Sequence, residues 1–197
     1  MSKDNDIPEL THTQKTPGQP ETSDLSEISA RVRDDSATRE DTHCALTHLR
    51  PDDIDQDTLL NSLHMPPDAG PYAAALDRIL RRIPDGWGRW ISHDAGWYPI
   101  VATLDDRLTA IDPDYVAHQV KEKFGTLRYY CAPSEPSTEL REAFCDIIGE
   151  AERMSAVTCE RCGEPGVAQR RGHWRKTLCA SCAEKLHYTS IPPRNDR

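Results

Sequence analysis

Two Cys-x-x-Cys pairs near the C-terminus constrain the fold of this chain more than any other feature. Cys159 and Cys162 form the first pair, Cys179 and Cys182 form the second, and 16 residues separate them. One Cys-x-x-Cys turn directs two thiolates to a single ion, and a second turn completes the tetrahedral sulfur set that is typical of structural zinc. We therefore predict one zinc ion held by these four cysteines. Four protein ligands leave no position for water, so the predicted zinc is structural and not catalytic.

The residues around the cysteines predict a small finger at 158–190. Gly163 directly follows the first pair and suits a tight metal-binding knuckle. The segments VAQRR and HWRKTL flank Gly172 like the strands of a short hairpin, and ASCAEKLH after them consists of helix formers. The second pair then lies in the first turn of a helix, where backbone N–H groups favour thiolates. Knuckle, hairpin and helix together indicate a treble-clef or zinc-ribbon-like finger that depends on its metal to fold.

Apolar residues are distributed unevenly along the 197-residue chain. All twelve aromatic residues lie from Tyr72 onward, and residues 1–43 contain only five of the Leu, Ile, Val and Phe class. So little apolar surface does not offset the roughly 1–2 kcal/mol of backbone entropy that each ordered residue costs. We therefore predict a disordered acidic tail at 1–43. This tail is followed by an α+β body at 44–157, then by the finger, and finally by a flexible tail at 191–197.

Helical periodicity predicts the main elements of the body. Residues 71–84 and 96–111 carry apolar side chains at the spacing that places them on one helix face. A third helix is predicted at 134–156 with Ser134 as its N-cap. A short helix is also indicated within 53–67. The polar side of the second helix is expected to carry the Asp105-Asp106 pair.

Residues 115–132 follow instead the two-residue period of β-strands, with Phe124-Gly125 as the turn between them. The predicted hairpin has one apolar and one polar face. The apolar face is expected to carry Val116, Val120, Leu127 and Tyr129. The polar face is expected to carry Gln119, Lys121, Lys123, Arg128 and Tyr130. Helices and a hairpin in one body make the predicted fold class α+β.

Charge divides along the chain. Residues 1–70 carry 6 Lys and Arg against 15 Asp and Glu, whereas residues 158–197 carry 8 against 4. The formal net charge of the whole chain is −9. An acidic protein with a basic end is not a general nucleic-acid-binding protein, but the basic end can hold phosphate locally.

Cations and aromatic residues recur on both predicted hairpins, and we predict that they bind a macromolecular partner. On the body they are Lys121, Lys123, Arg128 and Tyr130, and on the finger they are Arg170, Arg171, Trp174, Arg175 and Lys176. Cations that alternate around Trp174 fit phosphate contact with base stacking. The alternative is a solvated hairpin whose Trp174 packs on the body. The partner is protein or nucleic acid, and the acidic charge of the whole chain favours protein.

The sequence shows no set of nucleophile, base and orienting residue, so a non-enzymatic role is favoured. The alternative is an enzyme that acts on nucleic acid or a nucleotide. A pocket that joins His93, Asp94, His118 and Lys121 would favour that alternative. Cys131 and Cys145 are expected to be buried thiols on apolar faces. The finger histidines, His173 and His187, are expected at the surface and not as spare ligands.

The cysteine usage and the N-terminus predict a cytosolic protein. The first residues, MSKDNDIPEL, lack the apolar segment of a secretory signal, and no apolar stretch approaches the length of a membrane span. Seven cysteines without a secretory signal indicate thiols and metal ligands and not disulfides.

The stretch from Gly96 to about Leu186 resembles a group of small uncharacterised proteins encoded by phages, prophages and bacteria. The resemblance rests on the motifs GWYPIVATLDDRL, QVKEKFGTLRYY and CERCG…TLCASC. It implies an opening helix, a hairpin and a terminal four-cysteine finger. It implies no activity.

The finger alone is similar to three better-known modules: the DksA/TraR-type finger, the GATA-type finger and the end of HNH nucleases. The function of the DksA/TraR-type proteins is not implied, because they place the finger beside a coiled coil, whereas here a hairpin precedes a single helix. The GATA-type likeness, carried by GHWRKTLCASC, implies a DNA-binding transcription regulator as a further alternative. The nuclease residues are not present, because Ala183 follows the last cysteine and no His-His or Asp-His pair lies between the cysteine pairs.

Overall fold

The computed structural model of the chain describes Thr38 and residues 55–191. Apart from Thr38, the predicted tail at 1–43 lies outside the described residues, as do Cys44 and residues 192–197 of the predicted C-terminal tail. Residues 55–191 belong to one compact unit, and the predicted boundary between body and finger falls inside it. The fold is α+β, as predicted.

Five helices and six strands are distributed along residues 55–191. The helices are α1 Gln56–Asn61, α2 Ala73–Arg81, α3 Tyr98–Ile111, α4 Thr138–Ser155 and α5 Ala180–Lys185, with single 3-10 turns at Gly70–Tyr72 and Ala95–Trp97. The strands are β1 Ile91–Ser92, β2 Val116–Lys123, β3 Thr126–Ala132, β4 Val167–Arg171, β5 Trp174–Leu178 and β6 Thr189–Ser190. Within residues 55–191, no helix combines the length and the apolar character needed to cross a bilayer.

The strands form two three-stranded sheets, one in the body and one in the finger. In the body sheet, β2 pairs antiparallel with β3, and β1 adds in parallel to β2 through Ile91 and Val120. In the finger sheet, β4 lies in the middle and pairs antiparallel with β5 and β6. The two added strands are each two residues long, which is too short for a two-residue period to be recognised in sequence.

A bulge in β2 corrects one part of the predicted hairpin. Ala117 pairs with Cys131 and Gln119 with Tyr130, so His118 is an extra residue on β2. The insertion shifts the alternation by one position. Ala117 is therefore fully buried, whereas Val116, which we predicted on the apolar face, is only half-buried.

Helix α4 begins three residues later than predicted. Its N-cap is Ser137, whose hydroxyl accepts the Leu140 N–H at 3.3 Å. Ser134 serves a different purpose, since its N–H and hydroxyl both donate to the Asp112 carboxylate, at 2.7 and 2.8 Å. Pro136 disfavours helical geometry in the residue before it, which keeps the helix from starting earlier.

Asp105 is fully buried, which corrects its predicted place on the polar side of α3. Its carboxylate accepts hydrogen bonds from Arg78 at 3.1 Å, from Arg82 at 3.2 Å and from the Tyr115 hydroxyl at 2.6 Å. The Tyr115 and Tyr129 hydroxyls lie 2.7 Å apart. Burial raises the pKa of Tyr115, with the neighbouring hydroxyl and carboxylate acting in the same direction. The network links α2, α3 and the body sheet through one buried carboxylate.

Candidate metal centre

The structure brings the four finger cysteines together in one cluster. Their Sγ atoms all lie within 4.8 Å of one another, and those of Cys162 and Cys179 are 3.6 Å apart. Four thiolates placed about 2.3 Å from a tetrahedral zinc ion would be about 3.8 Å apart. The donor set and its spacing therefore allow the cluster to hold one metal ion.

A tight knuckle presents the first cysteine pair. Gly163 has a φ of +81°, and its N–H donates to the carbonyl of Cys159 at 2.9 Å. The N–H of Cys159 in turn donates to the carbonyl of Glu164 at 2.7 Å. The left-handed backbone at Gly163 lets the chain reverse immediately after Cys162.

The start of α5 presents the second pair. Cys179 is the N-cap of this helix, and Cys182 lies in its first turn. Ser181 Oγ lies 3.3 Å from Cys179 Sγ, and this hydrogen bond lowers the pKa of the Cys179 thiol. Burial instead raises the pKa of Cys182. A bound cation would hold both as thiolates, the form that binds metal.

Gly96 and Trp97 of the body fasten the knuckle in place. The N–H of Gly96 donates to the carbonyl of Glu160 at 2.8 Å, and a Cβ at this position would overlap the carbonyl oxygen of Cys159. The buried indole of Trp97 donates to the carbonyl of Thr158 at 2.8 Å. From the sequence, this Gly-Trp dipeptide is expected only to open a helix, because no nearby residue indicates that the finger packs against it.

The turn of the body hairpin makes a second contact with the finger. The Thr177 hydroxyl on β5 donates to the carbonyl of Gly125 at 2.6 Å. A Cβ on Gly125 would lie 3.4 Å from the backbone of Lys176 and Thr177. Both turn residues have positive φ, +57° at Phe124 and +84° at Gly125. The turn thus packs its glycine on the finger while the Phe124 side chain remains 67% exposed.

Lys176 pairs internally, although the sequence analysis placed it in the partner-binding set. Its Nζ lies 3.2 Å from Asp94 and 3.1 Å from Glu160, which is 1% exposed. Burial by itself lowers the pKa of Lys176, but the two carboxylates outweigh it and raise the pKa. Burial raises the pKa of Glu160 to about 7, although Lys176 acts in the opposite direction. The Oε2 of Glu160 is buried and has no hydrogen-bond partner among the described residues. Lys176 therefore fastens the finger to the body.

Two more predicted partner-binding cations have internal partners. Arg128 lies 3.4 Å from Glu152 and donates to the hydroxyl of Thr126 at 2.6 Å. Arg171 donates to the carbonyl of Leu186 at 3.1 Å, and its guanidinium lies 5.0 Å from the centre of the Tyr188 ring. Both side chains support the local fold.

The remaining members of the predicted set reach the surface. Trp174 is 71% exposed, so the alternative in which it packs on the body is wrong. On the body hairpin, Lys121 lies over the Tyr130 ring and Lys123 over the Phe124 ring, each at 5.5 Å. Arg170 and Arg175 lie directly opposite each other on β4 and β5, and both are exposed.

Of the groups considered for catalysis, His93 and Asp94 are adjacent, and the His93 Nδ1 lies 2.9 Å from the Asp94 carbonyl oxygen. His93 is buried against Trp97 and Tyr98, at ring distances of 5.7 and 5.6 Å. His118 stacks on Trp87 at 4.8 Å. Asp94 and Lys121 are engaged by Lys176 and Tyr130, respectively.

The two body cysteines are less buried than predicted. Cys145 on α4 is exposed, and Cys131 on β3 is half-buried. Burial raises the pKa of the Cys131 thiol to about 12, with Cys145 acting in the same direction. Helix α4 buries Phe144, Ala151 and Ser155, and Cys145 lies outside this buried face. His173 and His187 are exposed.

Comparison with known proteins identifies no relative. No family model, curated protein or solved structure matches this chain. The function therefore has to be argued from the site itself.

Proposed function

We propose that the chain is a non-enzymatic binding protein in which one structural zinc ion holds a treble-clef-like finger against an α+β body. The observation that carries this proposal is the cluster of four cysteine Sγ atoms within 4.8 Å. The cluster lies where the knuckle, the start of α5 and the Gly96-Trp97 step of the body meet. A metal at that point would join all three.

The chemistry of the donor set favours zinc. Four thiolates in a tetrahedron suit zinc or iron, and the closed set of four cysteines is typical of structural zinc. Apart from cysteines, the buried apolar residues of the finger are Leu178, Ala183 and Tyr188. So small a core supports the proposal that metal binding supplies most of the folding free energy of the finger.

The macromolecular partner would bind at the exposed side chains of the two hairpins. We call them the hairpin surface: Lys121, Lys123, Tyr130, Arg170, Trp174 and Arg175. Lys176, Arg128 and Arg171 are left out because each has an internal partner. Exposed aromatic rings beside cations are a common composition of binding surfaces.

The chemistry of the cysteines and the sequence motifs support a cellular location and a biological context for the proposed function. A zinc–thiolate site needs reduced cysteines, which supports a cytosolic location. The hairpin and finger motifs resemble proteins of phages and prophages, which supports a role related to them. The separate surroundings of His93 and His118 support a binding role over the enzyme alternative.

Elemental analysis of the purified protein tests whether the four cysteines bind zinc. We expect one zinc per chain, with loss of the metal in Cys159→Ser and Cys182→Ser. Cys145→Ser is the matched control, because this exposed cysteine lies outside the cluster and should leave the zinc content unchanged. Unchanged zinc in both cluster variants would overturn the metal site. A coloured, iron-containing protein would overturn the choice of zinc.

Capture experiments test the hairpin surface. The wild-type protein and a Lys121→Glu/Tyr130→Ala variant are compared as baits in a host extract. We expect a macromolecule retained by the wild type to be lost from the variant. Arg81→Glu is the control, since Arg81 pairs with Asp77 on α2 and not with a hairpin residue. Equal retention by all three baits would contradict the assignment of the surface.

A further inference from the structure

We propose that the partner of this protein is a single-stranded nucleic acid, held where the finger sheet meets the turn of the body hairpin. The binding residues are Arg170, Arg175, Lys123 and Phe124, which we call the arginine face. This inference rests on the proposed function, because it names the partner of the hairpin surface.

The two arginines share one face of the finger sheet. Arg170 and Arg175 are direct cross-strand partners, so their side chains project to the same side. Arg175 and Thr177 are two residues apart on β5 and therefore also point to one side. The arginine pair thus lies on the same face as Thr177.

That face is the one that meets the body hairpin. The Thr177 hydroxyl donates to the carbonyl of Gly125 at 2.6 Å. Two residues along a strand span about 6.6 Å, so Arg175 is within side-chain reach of the turn. Phe124, next to Gly125 in the turn, and Lys123, whose ammonium lies 5.5 Å from the Phe124 ring, complete the face.

The arginine pair has no counter-ion within residues 55–191. Like charges directly opposite each other on paired strands are destabilising, and no described carboxylate pairs with either guanidinium. By contrast, Lys176 and Arg128 on the same hairpins are both paired with carboxylates. An anionic ligand would offset the repulsion, and a guanidinium is well suited to phosphate oxygens.

The exposed ring of Phe124 favours a ligand that has a flat apolar face. The residue has a φ of +57°, a conformation that is uncommon for a bulky side chain, and its ring is 67% exposed. Packing does not explain why a phenylalanine stands in this turn. Trp174, at the end of the finger hairpin, is 71% exposed. Exposed rings beside cations allow bases to stack while the backbone phosphates are neutralised.

A single strand fits this arrangement better than a duplex or an acidic peptide. The faces of duplex bases are stacked on one another, whereas single-stranded bases are free to stack on aromatic side chains. An acidic peptide would pair with the arginines but would leave the exposed Phe124 ring without a partner. The surface therefore combines the two elements that recognise a single strand without sequence preference.

Fluorescence anisotropy of the zinc-loaded full chain tests the inference. The probes are labelled 20-nucleotide oligo(dT) and oligo(U), titrated at several salt concentrations. We expect Arg170→Glu/Arg175→Glu to weaken binding at least tenfold. The slope of log affinity against log salt should become shallower by about 1.4, since each phosphate contact to a single strand contributes about 0.7. Phe124→Asn should weaken binding several-fold without changing the slope, because Asn tolerates the left-handed backbone and removes the ring.

The control is Arg141→Glu/Arg153→Glu, which makes the same change in net charge with two exposed arginines of α4. It should bind like the wild type. Equal weakening by the control, or unchanged binding by the Arg170/Arg175 variant, would overturn the inference. Tighter binding to a 20-base-pair duplex, or equal competition by polyglutamate, would overturn it as well.

Zinc content and circular dichroism of each variant separate misfolding from loss of binding. A zinc-loaded wild type that binds no oligonucleotide, yet captures a protein through the hairpin surface, overturns this inference and leaves the proposed function standing. A wild type without stoichiometric metal overturns the proposed function independently of any oligonucleotide result.

Discussion

The body and the finger are stabilised in different ways. Among the described residues, the body has a continuous core of 18 buried apolar residues, whereas the finger buries five, of which two are the clustered cysteines Cys159 and Cys182. A core of the first size suits an independently stable domain, whereas so small a core ordinarily needs a metal or a disulfide. The difference indicates that metal removal will unfold the finger and leave the body folded.

The junction between the two regions is polar, and three of its hydrogen bonds are accepted by backbone carbonyls. Gly96 and Trp97 bind the knuckle, Thr177 binds the hairpin turn, and Lys176 pairs with Asp94. Backbone hydrogen bonds and one ion-pair cluster position the finger accurately without a large apolar interface. The junction therefore allows the finger to be lost locally while the body remains folded.

Metal removal should produce the largest effect. Metal binding contributes on the order of 10–16 kcal/mol to the folding of comparable zinc fingers. We expect a chelator to abolish hydrogen-exchange protection in residues 158–190 while α3 and the body sheet keep theirs. Simultaneous loss of protection in both regions would show that the body also depends on the metal. It would contradict the conclusion that the body and the finger are stabilised in different ways.

Asp105→Ala should produce the next largest effect, and it should act on the body. Removing this carboxylate leaves the half-buried Arg82 guanidinium and the buried Tyr115 hydroxyl without their shared acceptor. Removing one partner from a buried charge network lowers the free energy of unfolding by about 3–5 kcal/mol. Urea unfolding measures the loss. Asp106→Ala, which removes only an exposed pair with Arg78, should cost less than about 1 kcal/mol.

Gly96→Ala tests whether close contact between the body and the knuckle holds the finger in position. The added Cβ would overlap backbone atoms of Cys159 and Gly163, which cannot move without distorting the knuckle. We expect a loss of about 3 kcal/mol, at the upper end for overpacking, together with faster zinc transfer to a chelator. The control is Gly149→Ala on α4, where the nearest atom is the flexible end of Arg153. Similar chelation rates for the two variants would contradict the proposed junction.

His93 should make the stability of the body depend on pH. Burial lowers the pKa of this histidine to about 4 in the folded protein, below its value of about 6.5 in the unfolded chain. The unfolded state therefore binds more protons below pH 6.5, so stability is complete above that pH and falls as the pH is lowered toward 4. The expected loss between pH 7 and pH 5 is about 2 kcal/mol.

Unfolding curves for His93→Gln and His118→Gln isolate this contribution from acid effects on the metal site. The first variant should show a shallower pH dependence than the wild type, whereas the second should not. Identical pH dependence in the wild type and His93→Gln would show that His93 is protonated without penalty in the folded protein.

Features that depend on neighbouring residues were predicted well from the sequence. Helical spacing within 96–111 and the glycine turn at Phe124-Gly125 match elements of the structure closely. The α+β class followed from these periods. The predicted N-cap at Ser134 was wrong because a distant acceptor, Asp112, binds that hydroxyl. The predicted face of Val116 was wrong because a bulge changes the alternation and leaves no mark in the hydrophobic pattern.

The spacing of the cysteines was sufficient to predict that the four thiols form one cluster, since two-residue spacers restrict where each pair can point. Residues whose role depends on distant partners could not be assigned in the same way. Lys176 appeared to be a free surface cation, but its partner Asp94 lies 82 positions earlier in the chain. Asp105 appeared to be exposed, but it is buried by donors from distant positions, Arg78 on α2 and Tyr115 just before β2. Periods and ligand spacings are local properties of a chain, whereas burial and charge pairing arise only when distant segments pack together.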